Sequence, residues 1–109
     1  MFTKHSDSGY RTLLDGIEIK TVAFGEKTHM VAMQLHQGYE LARHSHPHEQ
    51  TGYLISGHML LEIEDDVYDV HPGDSWSIPG GVEHRAEFLE DCAAIEVFSP
   101  VRDEYLLLD

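Results

Sequence analysis

At 109 residues and 41% hydrophobic side chains, the chain is long enough for one packed domain, residues 1–109, and too short for two. Seven basic residues against twenty acidic ones give a formal charge of −13, which repels phosphate backbones and anionic lipid surfaces, so nucleic acid is not expected as a partner. No apolar run approaches the ~20 residues of a membrane span, the N-terminus lacks a basic-then-apolar export signal, and Cys92, the single cysteine, allows no intramolecular disulfide; a cytoplasmic protein with no membrane partner is expected.

Gly and Pro punctuate short segments rich in β-branched and aromatic residues, without repeats or a helical period, which is an all-β rhythm. Strands are predicted over 17–24 and 28–36, around the turn Gly25-Glu26-Lys27. Segments 51–56 and 58–64 follow on either side of Gly57, and Glu64-Asp65-Asp66 makes a polar turn before 67–70; these read as successive antiparallel strands. His71-Pro72-Gly73-Asp74 turns the chain into 75–78, and Pro79-Gly80-Gly81 breaks it ahead of 83–88. A last strand covers 92–99, with a short helical turn after Pro100. Many short strands at regular spacing predict a closed barrel or sandwich, with Met33, Met59 and Trp76 packing its wall.

Histidines cluster at His44, His46 and His48, and another follows the glycine turn at His84. In an extended segment, alternation would point His44, His46, His48 and Gln50 one way and Ser45, Pro47 and Glu49 the other. Two imidazoles at that spacing can share an ion at about 2.0–2.2 Å, and His84 supplies a third ligand from a neighbouring strand. His48, beyond Pro47, is expected beside the site or at the surface, and Glu49 as an exposed charge. His58 and His71 lie at turns, and His5, His29 and His36 have no partner at ligand spacing; all five are expected to be solvated or hydrogen-bonded.

In the last strand, alternation separates Ala93, Ile95 and Val97 from Cys92, Ala94, Glu96 and Phe98. If the second set lines the interior, Cys92 and Ala94 leave space for a ligand and Glu96 is a desolvated carboxyl with a raised pKa, suited to proton transfer; Cys92 is then a pocket residue or a small core filler, and the filler is expected. If it faces water instead, Ile95 and Val97 fill the core. Arg102 follows; its planar fork can grip a carboxylate or simply pair with Asp103 or Glu104 at the surface.

Two motifs organise these residues. Gly38, five residues, His44, one residue, His46, three residues, Gln50, six residues and Gly57 resembles the first cupin motif. Gly73, five residues, Pro79, one residue, Gly81, two residues and His84 resembles the second. Two positions depart from the pattern: Gln50 stands where the first motif has an acid, and Phe88 where an asparagine often follows the second. A neutral Gln50 leaves a bound ion its full charge, which strengthens its Lewis acidity and weakens its retention.

The stretch from His44 to Gly57 and the ending Glu96, Phe98, Arg102, spaced acid, one residue, Phe, three residues, Arg, are similar to the KdgF-type cupins of pectin degradation, in which the acid is usually Asp. The resemblance implies an all-β single-domain cupin, a double-stranded β-helix or jelly-roll barrel, with one divalent transition metal (Ni, Zn, Mn or Fe) on His44, His46, Gln50 and His84. It implies conversion of the 4,5-unsaturated monouronates released by pectin and alginate lyases to linear 5-keto-4-deoxyuronate, an isomerisation without redox change. Glu96 would then shuttle the proton, Arg102 hold the carboxylate of the uronate sugar and Phe98 pack its ring, in a homodimer. A metal-dependent dioxygenase and a non-enzymatic sugar-binding cupin are the other readings.

Overall fold

The computed structural model describes residues 1–106. The strands among them are β1 (Arg11–Leu14), β2 (Ile17–Phe24), β3 (His29–Leu35), β4 (Glu40–His44), β5 (Glu49–Ser56), β6 (Met59–Ile63), β7 (Asp66–Val70), β8 (Ser75–Ile78), β9 (His84–Phe88) and β10 (Cys92–Ser99); one helical turn, α1 (Asp103–Leu106), follows. They pair antiparallel into a six-stranded sheet ordered β1-β2-β3-β10-β5-β8 and a four-stranded sheet ordered β4-β9-β6-β7. Two antiparallel sheets are the all-β architecture that the strand rhythm predicts. Among the described residues no helix is long and apolar enough to cross a membrane.

Period-two alternation decides which face of each strand turns inward. In β10, Cys92, Ala94, Glu96 and Phe98 are buried and the residues between them are half-exposed. In the same way β5 buries Gln50, Gly52 and Leu54, and β9 buries His84, Ala86 and Phe88. The inner faces close on one apolar core that includes Ile17, Val31, Met33, Leu54, Met59 and Phe88. Trp76 packs against that core, and Cys92 lies within it as a filler.

Three features differ from the sequence expectation. Strands β1 and β4 were not anticipated: Arg-Thr-Leu-Leu and Glu-Leu-Ala-Arg-His carry no strand-favouring run, and pairing with β2 and β9 at the sheet edges makes them strands. Strands β5 and β6 do not form a hairpin. Gly57, at φ 96°, carries the chain from one sheet to the other, so β5 pairs with β10 and β8 while β6 pairs with β7 and β9. Finally, residues 44–50 are not one extended segment, because β4 ends at His44 and β5 begins at Glu49.

Candidate metal centre

The sheet register brings the motif residues to one end of the barrel. In the four-stranded sheet, His44 pairs with His84. In the six-stranded sheet, Gln50 pairs with Phe98 and Glu96 with Gly52. His46 comes from the loop between β4 and β5, and the glycine turn after β8 buttresses that loop. Gly81 N–H donates to the His46 carbonyl (2.8 Å), and a Cβ on Gly80 would lie 2.3 Å from the Pro47 carbonyl oxygen. The second motif therefore holds the first in place, and only a glycine allows the approach.

One donor atom from each of His44, His46 and His84 lies within 4.8 Å of the other two. Every ring is turned by its other nitrogen. Nδ1–H donates to the Ala42 carbonyl from His44 (2.9 Å), to the His48 carbonyl from His46 (3.0 Å) and to the Val82 carbonyl from His84 (2.9 Å). Each Nε2 is left with its lone pair, the tautomer that a metal site uses. His84 Nε2 is buried with no hydrogen-bond partner among the described residues, a cost that a bound ion removes. Burial, with neighbouring positive groups, holds His46 below its ordinary pKa and takes His84 down to about 4, so both rings are neutral at pH 7.

Gln50 completes the set. Its Nε2 donates to Glu96 Oε2 (2.9 Å), which turns its Oε1 toward His46 Nε2, also at 2.9 Å. With His46 Nδ1 committed as a donor, those two atoms face each other lone pair to lone pair. A shared cation relieves that contact, and two donors at about 2.1 Å from one ion at right angles lie ~3.0 Å apart. The chemistry of the donors thus fits a divalent transition ion on His44, His46, Gln50 and His84. His48 is not among the three histidines whose donor atoms converge.

Glu96 is 6% exposed, and burial raises its carboxyl to about 8 against weaker opposition from Gln50 and Trp76. The inner-face alternative of the sequence reading is the observed one. Sequence reasoning missed the neighbours that shape this carboxyl. Glu96, Gly52 and Trp76 form one cross-strand row, and a Cβ on Gly52 would sit 2.2 Å from the indole, so the glycine lets Trp76 lie toward Glu96. A glycine inside a strand was the available signal.

Arg102 closes the site from the tail. Its guanidinium lies 4.9 Å from the centre of the Phe98 ring and 4.0 Å from that of Tyr105, and Nε and Nη2 both reach Glu104 Oε1 at 2.8 Å. Its backbone N–H donates to Nδ1 of the fully buried His29 (3.2 Å), whose Nε2 donates to Thr21 Oγ1 (2.8 Å). His29 therefore ties the tail to β2 and β3, a role invisible in its sequence context. The cavity beneath, lined in part by His44, Gln50, His84, Glu96, Phe98 and Arg102, measures about 40 Å³, room for about one water. A larger groove of about 580 Å³ runs between β7 and β8, and the three clustered histidines do not line it.

Residues 31–98 match the family model described as a cupin domain. The chain is similar to the structure of KdgF from Halomonas sp., with 30% identity, a TM-score of 0.90, and coverage of 95% of this chain and 96% of that one. It also superposes on an RmlC-like cupin from Shewanella frigidimarina, with 23% identity, a TM-score of 0.90, and coverage of 95% and 94%. A salicylate 1,2-dioxygenase from Pseudoaminobacter salicylatoxidans shares the fold alone, at 12% identity and a TM-score of 0.74 over 81% of this chain and 28% of that one. No curated protein matches.

Proposed function

The chain belongs to the cupin family, and on that premise we propose that it converts 4,5-unsaturated monouronates to linear 5-keto-4-deoxyuronates. The observation that carries this reading is the placement of a protonated carboxyl, Glu96, one hydrogen bond from the Gln50 amide, with Phe98 and Arg102 lining the same cavity. The likeness to KdgF along nearly the whole chain supports it.

The reaction opens a cyclic hemiacetal whose ring oxygen is attached to an alkene carbon. The C1–O5 bond breaks, C1 becomes an aldehyde as its hydroxyl loses a proton, and the enol at C5 becomes a ketone when C4 gains one. Atoms and electrons balance without an oxidant. Glu96 enters protonated and delivers that proton to C4; the carboxylate left behind accepts the C1 hydroxyl proton and is ready again. Arg102 binds the substrate carboxylate, exchanging Glu104 for it, and Phe98 lies along the ring. A divalent ion on His44, His46, Gln50 and His84 would supply Lewis acidity toward the sugar oxygens. Ligand pockets typically hold ~300–1,000 Å³, so the segment carrying Arg102 and Tyr105 has to swing outward to admit a sugar.

The test is an ultraviolet and NMR time course on freshly released 4,5-unsaturated galacturonate, following loss of the conjugated alkene and growth of the open-chain ketone. Acceleration that chelation or His84→Ala abolishes is the expected result. No acceleration by metal-loaded protein discards the uronate reading, and substrate-dependent oxygen uptake would replace it with dioxygenase chemistry.

A further inference from the structure

A second group of donor atoms lies outside the barrel centre. His58 immediately precedes β6 and His71 immediately follows β7. Because Met59 pairs with Val70, the two histidines stand opposite each other one step beyond the ladder. Asp69, two residues before His71, shares the outward face. The imidazoles are stacked, with centroids 4.4 Å apart and planes 15° from parallel. Both present Nε2 to the same carboxylate: His58 reaches Asp69 Oδ1, and His71 reaches Oδ2 at 3.2 Å. One donor atom from each residue falls within 4.8 Å of the others.

Two imidazoles and one carboxylate with donor atoms within 4.8 Å of one another make a donor set for borderline divalent ions. The backbones that carry them are already fixed. The His58 carbonyl accepts from Leu89 N–H (2.9 Å) and Glu90 N–H (3.2 Å). His71 N–H donates to Asp74 Oδ2 (2.9 Å), and its carbonyl accepts from Asp74 N–H (3.0 Å). The side chains remain accessible, at 29% exposure for His58, 60% for Asp69 and 58% for His71. Hydrogen bonds from His58 and then His71 hold the Asp69 carboxyl below its ordinary pKa, so it stays an anionic ligand. Two charged rings stacked face to face would repel each other, whereas two neutral rings sharing one cation with Asp69 would not.

We infer that His58, Asp69 and His71 form a second, solvent-facing site for a divalent ion of the zinc, nickel or copper class, independent of the barrel centre. Each ring offers the ion the Nε2 that faces Asp69 and keeps its proton on Nδ1. Water fills the remaining coordination positions.

The experiment is zinc stoichiometry by calorimetry and elemental analysis on the chelator-stripped full chain, comparing the parent with His71→Gln and Asp69→Asn. Both substitutions are at exposed positions, and circular dichroism checks that each variant is folded. One zinc equivalent should disappear in each: from two to one if the barrel centre also takes zinc, from one to none if it does not. Copper titration followed by electron paramagnetic resonance gives a second readout, in which His71→Gln removes one nitrogen-ligated signal and leaves the other. Unchanged stoichiometry and unchanged copper signals in the folded variants would overturn the assignment. Uronate turnover should be the same in His71→Gln as in the parent, so failure of this site and failure of the proposed reaction are read separately.

Discussion

Glu96 binds its proton differently in the folded and unfolded chain. Burial holds the folded carboxyl protonated up to about pH 8, while an exposed glutamate gives up its proton near 4.5. Between those values the folded state carries more protons, so stability at this site is full below about 4.5 and falls as pH rises toward 8. In metal-free protein, Glu96→Gln should therefore be more stable than the parent at pH 8, with the gap closing toward pH 5; denaturant midpoints at the two pH values would show it. The same variant should lose turnover while keeping its metal, since Gln50 can still donate to the new amide oxygen. Glu104 gives a second expectation. It holds the guanidinium that the proposed substrate needs, and a part-exposed pair of this kind is worth ~0–1 kcal/mol. Glu104→Gln should lower KM for the unsaturated uronate by up to about fivefold with kcat nearly unchanged, and a rise in KM would mean that Glu104 orients Arg102 rather than competing for it.

Strands set the distances between these groups. The row Glu96, Gly52, Trp76 crosses three neighbouring strands, and its middle member has no side chain to separate the outer two. Gly52→Ala puts a methyl 2.2 Å from the indole, so the ring must move or the strands must part, at a cost of about 1–3 kcal/mol. Trp76 is the single tryptophan, so its emission reports the change directly; a red shift with loss of activity is expected, and an unaltered spectrum would remove Trp76 from the Glu96 environment. Much at this scale was legible in the sequence, because Gly and Pro mark the turns and period-two burial sorts Glu96 from Ile95 and Val97. The spacing that brings His44, His46 and His84 together was legible too. Strands β1 and β4 were not, since pairing partners rather than composition extend them. Nor was the tail: His29 meets the Arg102 backbone across 73 residues, and no local pattern encodes such a contact. The extended reading of residues 44–50 failed because the chain changes sheets there, which alternation within one strand cannot show.

The four donors of the barrel centre come from both layers of the molecule. His44 and His84 lie in the four-stranded sheet, Gln50 in the six-stranded one, and His46 in the loop that joins them. An ion held by all four spans the barrel, and the unfolded chain cannot present the same set, so binding is coupled to folding. With free ion at a hundred times its dissociation constant the linkage adds ~2.7 kcal/mol. In a domain of roughly this size each kcal/mol moves Tm by ~4–8 °C, so loaded protein should melt roughly 10–20 °C above chelated protein. His84→Ala should erase most of that gap. His71→Gln should leave most of it, because His58 and His71 flank a single β6–β7 hairpin and an ion there ties only neighbouring strands. The charge of −13 adds a salt dependence with opposite signs: screening relieves self-repulsion and raises the metal-free midpoint, while it weakens the attraction of cations and narrows the loaded-to-chelated gap. Calorimetric scans at low and high salt, with and without chelator, separate these effects. Equal midpoints with and without the ion would mean that packing alone holds the two sheets together.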